Sequence, residues 1–251
     1  MQNGARYVPR QKELARQEHL RIGGEPVAVT IKHNPRARRM IIKVHPSTGE
    51  VTVVVPSRRA LDRALDFARA EQDWIAKRLA SVPRTVELRP GANVLFRGEE
   101  HLVTAATGGP APVWVEDDAS GRYIRVTGRA EHASRRLLDF FKREARETLA
   151  ARTVEMAARI GTRPARISVR DTESRWGSCS TERAMSYSWR LILAPPFVLD
   201  YVVAHEVAHL RHMNHGPRFW KLVRDLSPRA DEAQEWLGRN GPLLHRYAMQ
   251  R

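Results

Sequence analysis

The sequence predicts an α+β fold, and three observations predict it. Between residues 27 and 126 apolar residues alternate with polar ones in short runs cut by Gly, Pro and Asn, which is the pattern of strands. From 131 to 160 apolar residues recur at helical spacing without a breaker. From 197 to 210 the chain is apolar on almost every side, which predicts a helix buried in a core. At 251 residues the chain is long enough to bury one sizeable core with a lobe attached.

Taken in order, residues 1–24 read as a flexible basic N-terminus ending in Gly23-Gly24. Runs at 27–31, 40–44 and 51–55 alternate and are separated by Asn34-Pro35 and by Pro46-Ser47-Thr48-Gly49, which predicts a three-stranded meander. Ser57 can cap a helix reaching to about 79, with Leu61, Leu65, Ala68, Trp74, Ile75 and Leu79 inward. Short strands follow near 87 and at 94–96, 101–105, 113–115 and 123–126, punctuated by glycines. Residues 25–128 therefore read as a mostly β accessory region with one helix, and 129–251 as a second domain. That domain opens on the 131–160 helix, whose stripe is Leu137, Leu138, Phe141, Ala145, Leu149 and Met156. Strands at 167–170 and 185–193 lead to Pro195-Pro196, a start for the buried helix.

Composition narrows the setting. No run of eighteen apolar residues exists, so no membrane span is expected. The first 21 residues lack the apolar segment of a secretory signal, and the single Cys179 cannot form an internal disulfide, so a cytoplasmic location is expected. The formal net charge is +15. Such an excess attracts nucleic acid or other anions. The basic residues are scattered and not interleaved with aromatics, so nucleic-acid contact through a basic surface stays open without a motif to carry it.

The chemistry concentrates in His205-Glu206-Val207-Ala208-His209, followed six residues later by His215. Residues four apart share a helix face, so His205 and His209 can hold one ion. Glu206 sits one step round, where a general base would take a proton from water beside that ion. A catalytic zinc needs a third protein ligand and one open position. His212 lies on nearly the same face, but at about 1.5 Å of rise per residue it is too far along the axis. His215 reaches if the helix stops and the chain returns, and Asn214, Gly216 and Pro217 supply residues for that return. A carboxylate on a later helix, Glu232 or Glu235, is the alternative. A structural zinc site would ordinarily add a fourth ligand and leave Glu206 without a purpose. The expected cofactor is one Zn2+ per chain.

The string from Ser174-Arg175-Trp176-Gly177-Ser178-Cys179-Ser180 through Trp189-Arg190-Leu191 and the buried helix to Asn214-His215-Gly216-Pro217-Arg218-Phe219-Trp220 resembles the YgjP-like metallopeptidase family, a minimal zincin group related to SprT-like zinc proteases. The resemblance implies a zincin-like domain, zinc on His205, His209 and His215, Glu206 as base, and a protein or peptide substrate. The spacing of the three histidines equals that of metzincins, but His212 stands where those have Gly and no Met-turn is identifiable.

Substrate contacts are expected from Arg175, Tyr187 and Ser188. Arg175 can stabilise a developing oxyanion, or else pin a loop through carbonyl bonds. Ser188 stands where the family often has Asn. Tyr187, Tyr201 and His212 are further oxyanion candidates. Residues 184–189 are expected as the edge strand that pairs with substrate backbone. Trp176 and Cys179 read as packing residues, and Phe219, Trp220 and Leu222 as the contact between the helix after His215 and the metal helix. Two other readings follow from the charge and the accessory region: a DNA-associated SprT-like protease, or a non-catalytic zinc module that binds partners.

Overall fold

The computed structural model describes residues 15–45, 48–82, 84–172 and 175–248. Residues 1–14 of the expected N-terminal tail lie outside them, as do Pro46 and Ser47 of the expected turn and Ser174 of the motif string. The chain divides into two units, residues 1–83 and 84–251.

In the first unit β1 (Ala15–Ile22) and β2 (Glu25–His33) form a hairpin. Gly23 and Gly24 make its two-residue turn with φ of 62° and 91°, a conformation that side chains disfavour. Residues 15–22 are thus a strand and not part of a loose tail. β3 (Ile41–Val44) and β4 (Val51–Val55) follow, and the sheet order is β1-β2-β4-β3. The expected meander is corrected here, because β4 inserts parallel to β2 and pushes β3 to the far edge. Local alternation reveals strands but not their order, which long-range pairing decides. The expected single helix is two, α1 (Leu61–Ala70) and α2 (Gln72–Ala80), broken at Glu71. Val29, Ile31, Val51, Val53 and Val55 pack with Ala64, Ala68 and Ile75 from the helices. Trp74, expected inward, is exposed.

The second unit opens with β5 (Val86–Glu87), then a four-stranded sheet of β6 (Asn93–Phe96), β7 (Glu99–Ala106), β8 (Val113–Asp118) and β9 (Gly121–Thr127) in the order β6-β7-β9-β8. The 27-residue α3 (Ala133–Arg159) runs past it. Three strands follow: β10 (Arg166–Arg170), β11 (Gly177–Cys179) and β12 (Ala184–Ser188). Then come α4 (Pro196–Ala208), α5 (Pro217–Leu226), α6 (Ala230–Leu244) and β13 (Tyr247–Ala248), the last paired with β5.

The boundary falls at 83/84 rather than at 128/129, because the four-stranded sheet has no core of its own. Val94, Phe96, Val103, Ile124 and Val126 share one core with Leu137, Phe141, Leu191, Val203 and Val207. Phe96 packs its ring on Phe140 and Phe141 of α3. At the β6–β7 turn the Arg97 N–H donates to the Ile192 carbonyl at 2.8 Å and the Gly98 N–H to that of Leu193 at 3.0 Å. Gly98 has φ of 86°, and a Cβ there would lie 2.9 Å from the Pro195 Cα, so only glycine lets this turn dock before α4.

The three-stranded sheet has the order β10-β12-β11, parallel then antiparallel. β12 is therefore the central strand and not the edge expected at 184–189, and β10 and β11 are the edges among the described residues. The expected strand at 185–193 also stops early. Ser188 accepts the Arg190 N–H through its hydroxyl at 3.4 Å and starts a buried 3-10 turn over Trp189–Leu193. No described helix is long and apolar enough to cross a membrane.

Candidate metal centre and cleft

α4 carries the site because its sequence allows a helix buried all round. Pro196 occupies the first turn, where its missing N–H costs nothing. Val198, Leu199, Val202, Val203, Ala204, Val207 and Ala208 are buried. Arg152 of α3 holds Asp200 with two bonds of 2.7 and 2.9 Å, fixing the first turns of α4. The helix ends at Ala208, and the chain returns without any left-handed non-glycine residue at 209–216. Gly216 is extended, with φ of −79°, so its special freedom is not used.

The return brings His215 back over the helix. The Nε2 atoms of His205 and His215 lie 3.2 Å apart. Two nitrogens on one tetrahedral ion with bonds of about 2.0–2.1 Å would be separated by about 3.3 Å. One ligand atom from each of His205, His209 and His215 falls within 4.8 Å of the others. Phe219, on the first turn of α5, floors all three rings at centroid distances of 4.9, 4.7 and 4.7 Å. Trp220 flanks His205 and His215. Leu222 is partly buried against the same core.

The electrostatics suit a cation. Burial lowers the His205 pKa to about 4, helped by His209 and His215, and burial lowers that of His209 as well. Both imidazoles are thereby held in the neutral form that ligates metal. His209 Nδ1 bonds the His212 carbonyl at 3.1 Å, which fixes the proton on Nδ1 and leaves the Nε2 lone pair available to a metal. His212 thus contributes a backbone carbonyl, and its ring is not among the three that converge. Glu232 is paired with Arg229 at 2.5 and 2.7 Å and Glu235 with Arg239, so neither carboxylate alternative joins the histidines. The donor set, three neutral imidazoles with a buried carboxyl beside them, fits zinc with an open position.

Glu206, next to His205 on α4, is 5% exposed, with burial raising its pKa to about 7 against the opposing charge of Arg175. Its side chain rests on Gly177 of β11. A Cβ on Gly177 would meet Glu206 Oε1 at 2.6 Å and Cγ at 2.7 Å. His205 and Glu206 open into a cleft of about 310 Å³ walled by Trp176, Gly177, Tyr201 and Gln234. Gly177 and Gln234 were missed by reasoning from sequence. The only signal for Gly177 was its place in the 174–180 string, and Gln234 had none.

The three expected substrate residues separate. Arg175 is exposed, its charge acts on Glu206, and its guanidinium bonds no carbonyl among the described residues. Tyr187 and Ser188 are fully buried. The Tyr187 hydroxyl meets Thr153 Oγ1 at 3.1 Å and the Met185 sulfur at 3.4 Å, so neither Tyr187 nor Ser188 has surface to offer a substrate. Central placement in the sheet accounts for both. Cys179, on the edge strand, is half-buried, and Trp176 packs against Gly241 and the His245 ring.

Residues 38–240 match the family model of the YgjP-like metallopeptidase domain, a span that contains all three histidines, Glu206 and Gly177. No curated protein and no solved structure matches the chain.

Proposed function

The chain belongs to the YgjP-like metallopeptidase family, and on that premise we propose that it is a zinc-dependent peptidase with His205, His209 and His215 as ligands and Glu206 as general base. The observation that carries this reading is the position of Glu206. It is a buried carboxyl in the wall of the same cleft as the His205 ring, with burial bringing its pKa to about 7. Zinc held there supplies Lewis acidity, lowering the pKa of water towards about 7 and polarising the scissile carbonyl. Glu206 takes the proton of the attacking water and gives it to the leaving amine nitrogen as the C–N bond breaks. A carboxyl whose pKa lies near neutrality serves both transfers.

Substrate backbone has a place to bind. The outer edge of β11 is unpaired among the described residues and forms one wall of the cleft. A peptide added there would gain main-chain bonds with little demand on sequence. Tyr201, one helical turn before His205 and in the same cleft, is the polar side chain best placed to meet a developing oxyanion.

The test is Glu206→Gln, assayed on unfolded casein together with zinc content. Zinc is expected to stay and hydrolysis to drop by about 10²–10⁴-fold. Undiminished hydrolysis would exclude Glu206 as the base.

A further inference from the structure

The three-stranded sheet has a second face, and that face is polar. Ile167, Val169, Met185, Tyr187 and Cys179 point into the core. On the opposite face Ser168, Ser186 and Ser178 stand in register across β10, β12 and β11. Arg166 and Arg170 flank Ser168 at alternate positions of β10 and so share its face. With Arg175 they line a depression of about 250 Å³ that also includes Thr172 and the serine row, and among the described residues no acidic one lines it. All three arginines are exposed, and none has a carboxylate partner among the described residues. The nearby Asp171 is engaged by Arg190 at 3.2 Å. Three like-charged guanidinium groups around a hydroxyl floor favour an anion that joins them.

The depression borders the cleft. Gly177 lines both, so the two lie on either side of the edge strand β11. A peptide paired with β11 would alternate its side chains between the two faces, one set entering the cleft and the other lying beside Ser178. Cross-strand side chains sit about 4.5–5.5 Å apart, which places an acidic side chain opposite Ser178 beside the depression and in the field of Arg166, Arg170 and Arg175.

We propose that this depression is an anion subsite of the cleft, which receives a glutamate or aspartate side chain of the peptide laid along β11. This rests on the peptidase reading. A carboxylate is favoured over a nucleic-acid backbone because the arginines surround one small depression, whereas a polynucleotide needs an extended basic track.

The experiment uses short peptides that the wild type cleaves, with Glu or Gln placed in turn at each position flanking the bond. Affinity of fluorescent Glu and Gln peptides for the Glu206→Gln variant is measured in parallel. Glu is expected to win by about tenfold in kcat/KM at one alternate set of positions, mainly through KM, the size of one charge-assisted contact. In Arg166→Gln/Arg170→Gln the Glu-to-Gln ratio should fall towards one, while Arg135→Gln on α3 should retain it. Thermal melting confirms that the double variant folds. Equal cleavage and equal binding of Glu and Gln peptides would overturn the subsite. So would a single-stranded oligonucleotide that displaces the Glu peptide and loses affinity in the double variant, since the depression would then serve nucleic acid. Cleavage of no peptide, with the Glu preference still present in binding, would defeat the peptidase reading and leave the anion site standing.

Discussion

Glu206 and Gly177, 29 positions apart in sequence, are in direct contact. The glutamate side chain occupies the space where a Cβ of residue 177 would lie, with Oε1, Cγ and Cδ all within 3 Å of that point. The φ of Gly177 is not in the left-handed region, so the approach of Glu206, and not backbone conformation, requires glycine there. Gly177→Ala should therefore push the carboxyl aside without unfolding the strand. Hydrolysis is expected to fall by at least about 100-fold, as for loss of a positioned base, with zinc content unchanged. Steady-state kinetics beside elemental analysis check it. Full activity in this variant would show that the carboxyl works equally well from elsewhere.

His215 is the proposed ligand that the chain must fold back to supply, and its removal tests the proposed centre most directly. Wild type is expected to carry about one zinc per chain and His215→Ala much less, since a catalytic site has only three protein ligands. The Phe219 floor under the rings is untouched by this change. Undiminished zinc by elemental analysis would mean that another residue completes the site.

What the sequence revealed and what it hid divide along the range of the interactions. The convergence of the three histidines was legible because His205, Glu206, His209 and His215 lie within eleven residues and helix geometry relates the first three. The long helix α3 was legible for the same reason. Sheet order was not, because a strand's period-2 pattern says nothing of its neighbours. That is why β12 was expected at the edge and the first sheet was expected to be a meander, and why the burial of Tyr187 and Ser188 on a central strand did not show in the sequence. The limit of the second unit was hidden in the same way: the glycine turn at Gly98 docks on Pro195, 97 positions later, and ties β6 and β7 to the core that carries the metal helix.

The buried state of Tyr187 makes a prediction that separates its two roles. Its hydroxyl serves Thr153, whose own hydroxyl donates to the Leu149 carbonyl at 2.6 Å. Tyr187→Phe should lower stability by about 1 kcal/mol through the lost bond while leaving kcat/KM within about twofold. A chemical denaturation curve and peptide kinetics measure both. A large loss of kcat/KM at unchanged stability would return Tyr187 to the substrate site.

Cys179 gives the prediction in pH. Burial first, and then the negative charge of Glu206, raise its thiol from 9.0 to about 11. The neutral form is therefore favoured in the folded chain. At pH 8 the thiolate is about 100-fold scarcer than in an ordinary cysteine, so alkylation by iodoacetamide should be slower by about that factor. The sign for stability follows from linkage. Between about 9 and 11 the unfolded chain releases the thiol proton and the folded chain keeps it, so this group's contribution falls as pH rises through that window. Glu206→Gln removes the charge and should speed alkylation at fixed pH, whereas Glu232→Gln, on a carboxylate paired with Arg229 at the surface, should not. Mass spectrometry of the reaction over time reads the rates. Alkylation as fast as in a free peptide, or a rate indifferent to Glu206→Gln, would show that the thiol is neither shielded nor within the field of that carboxylate.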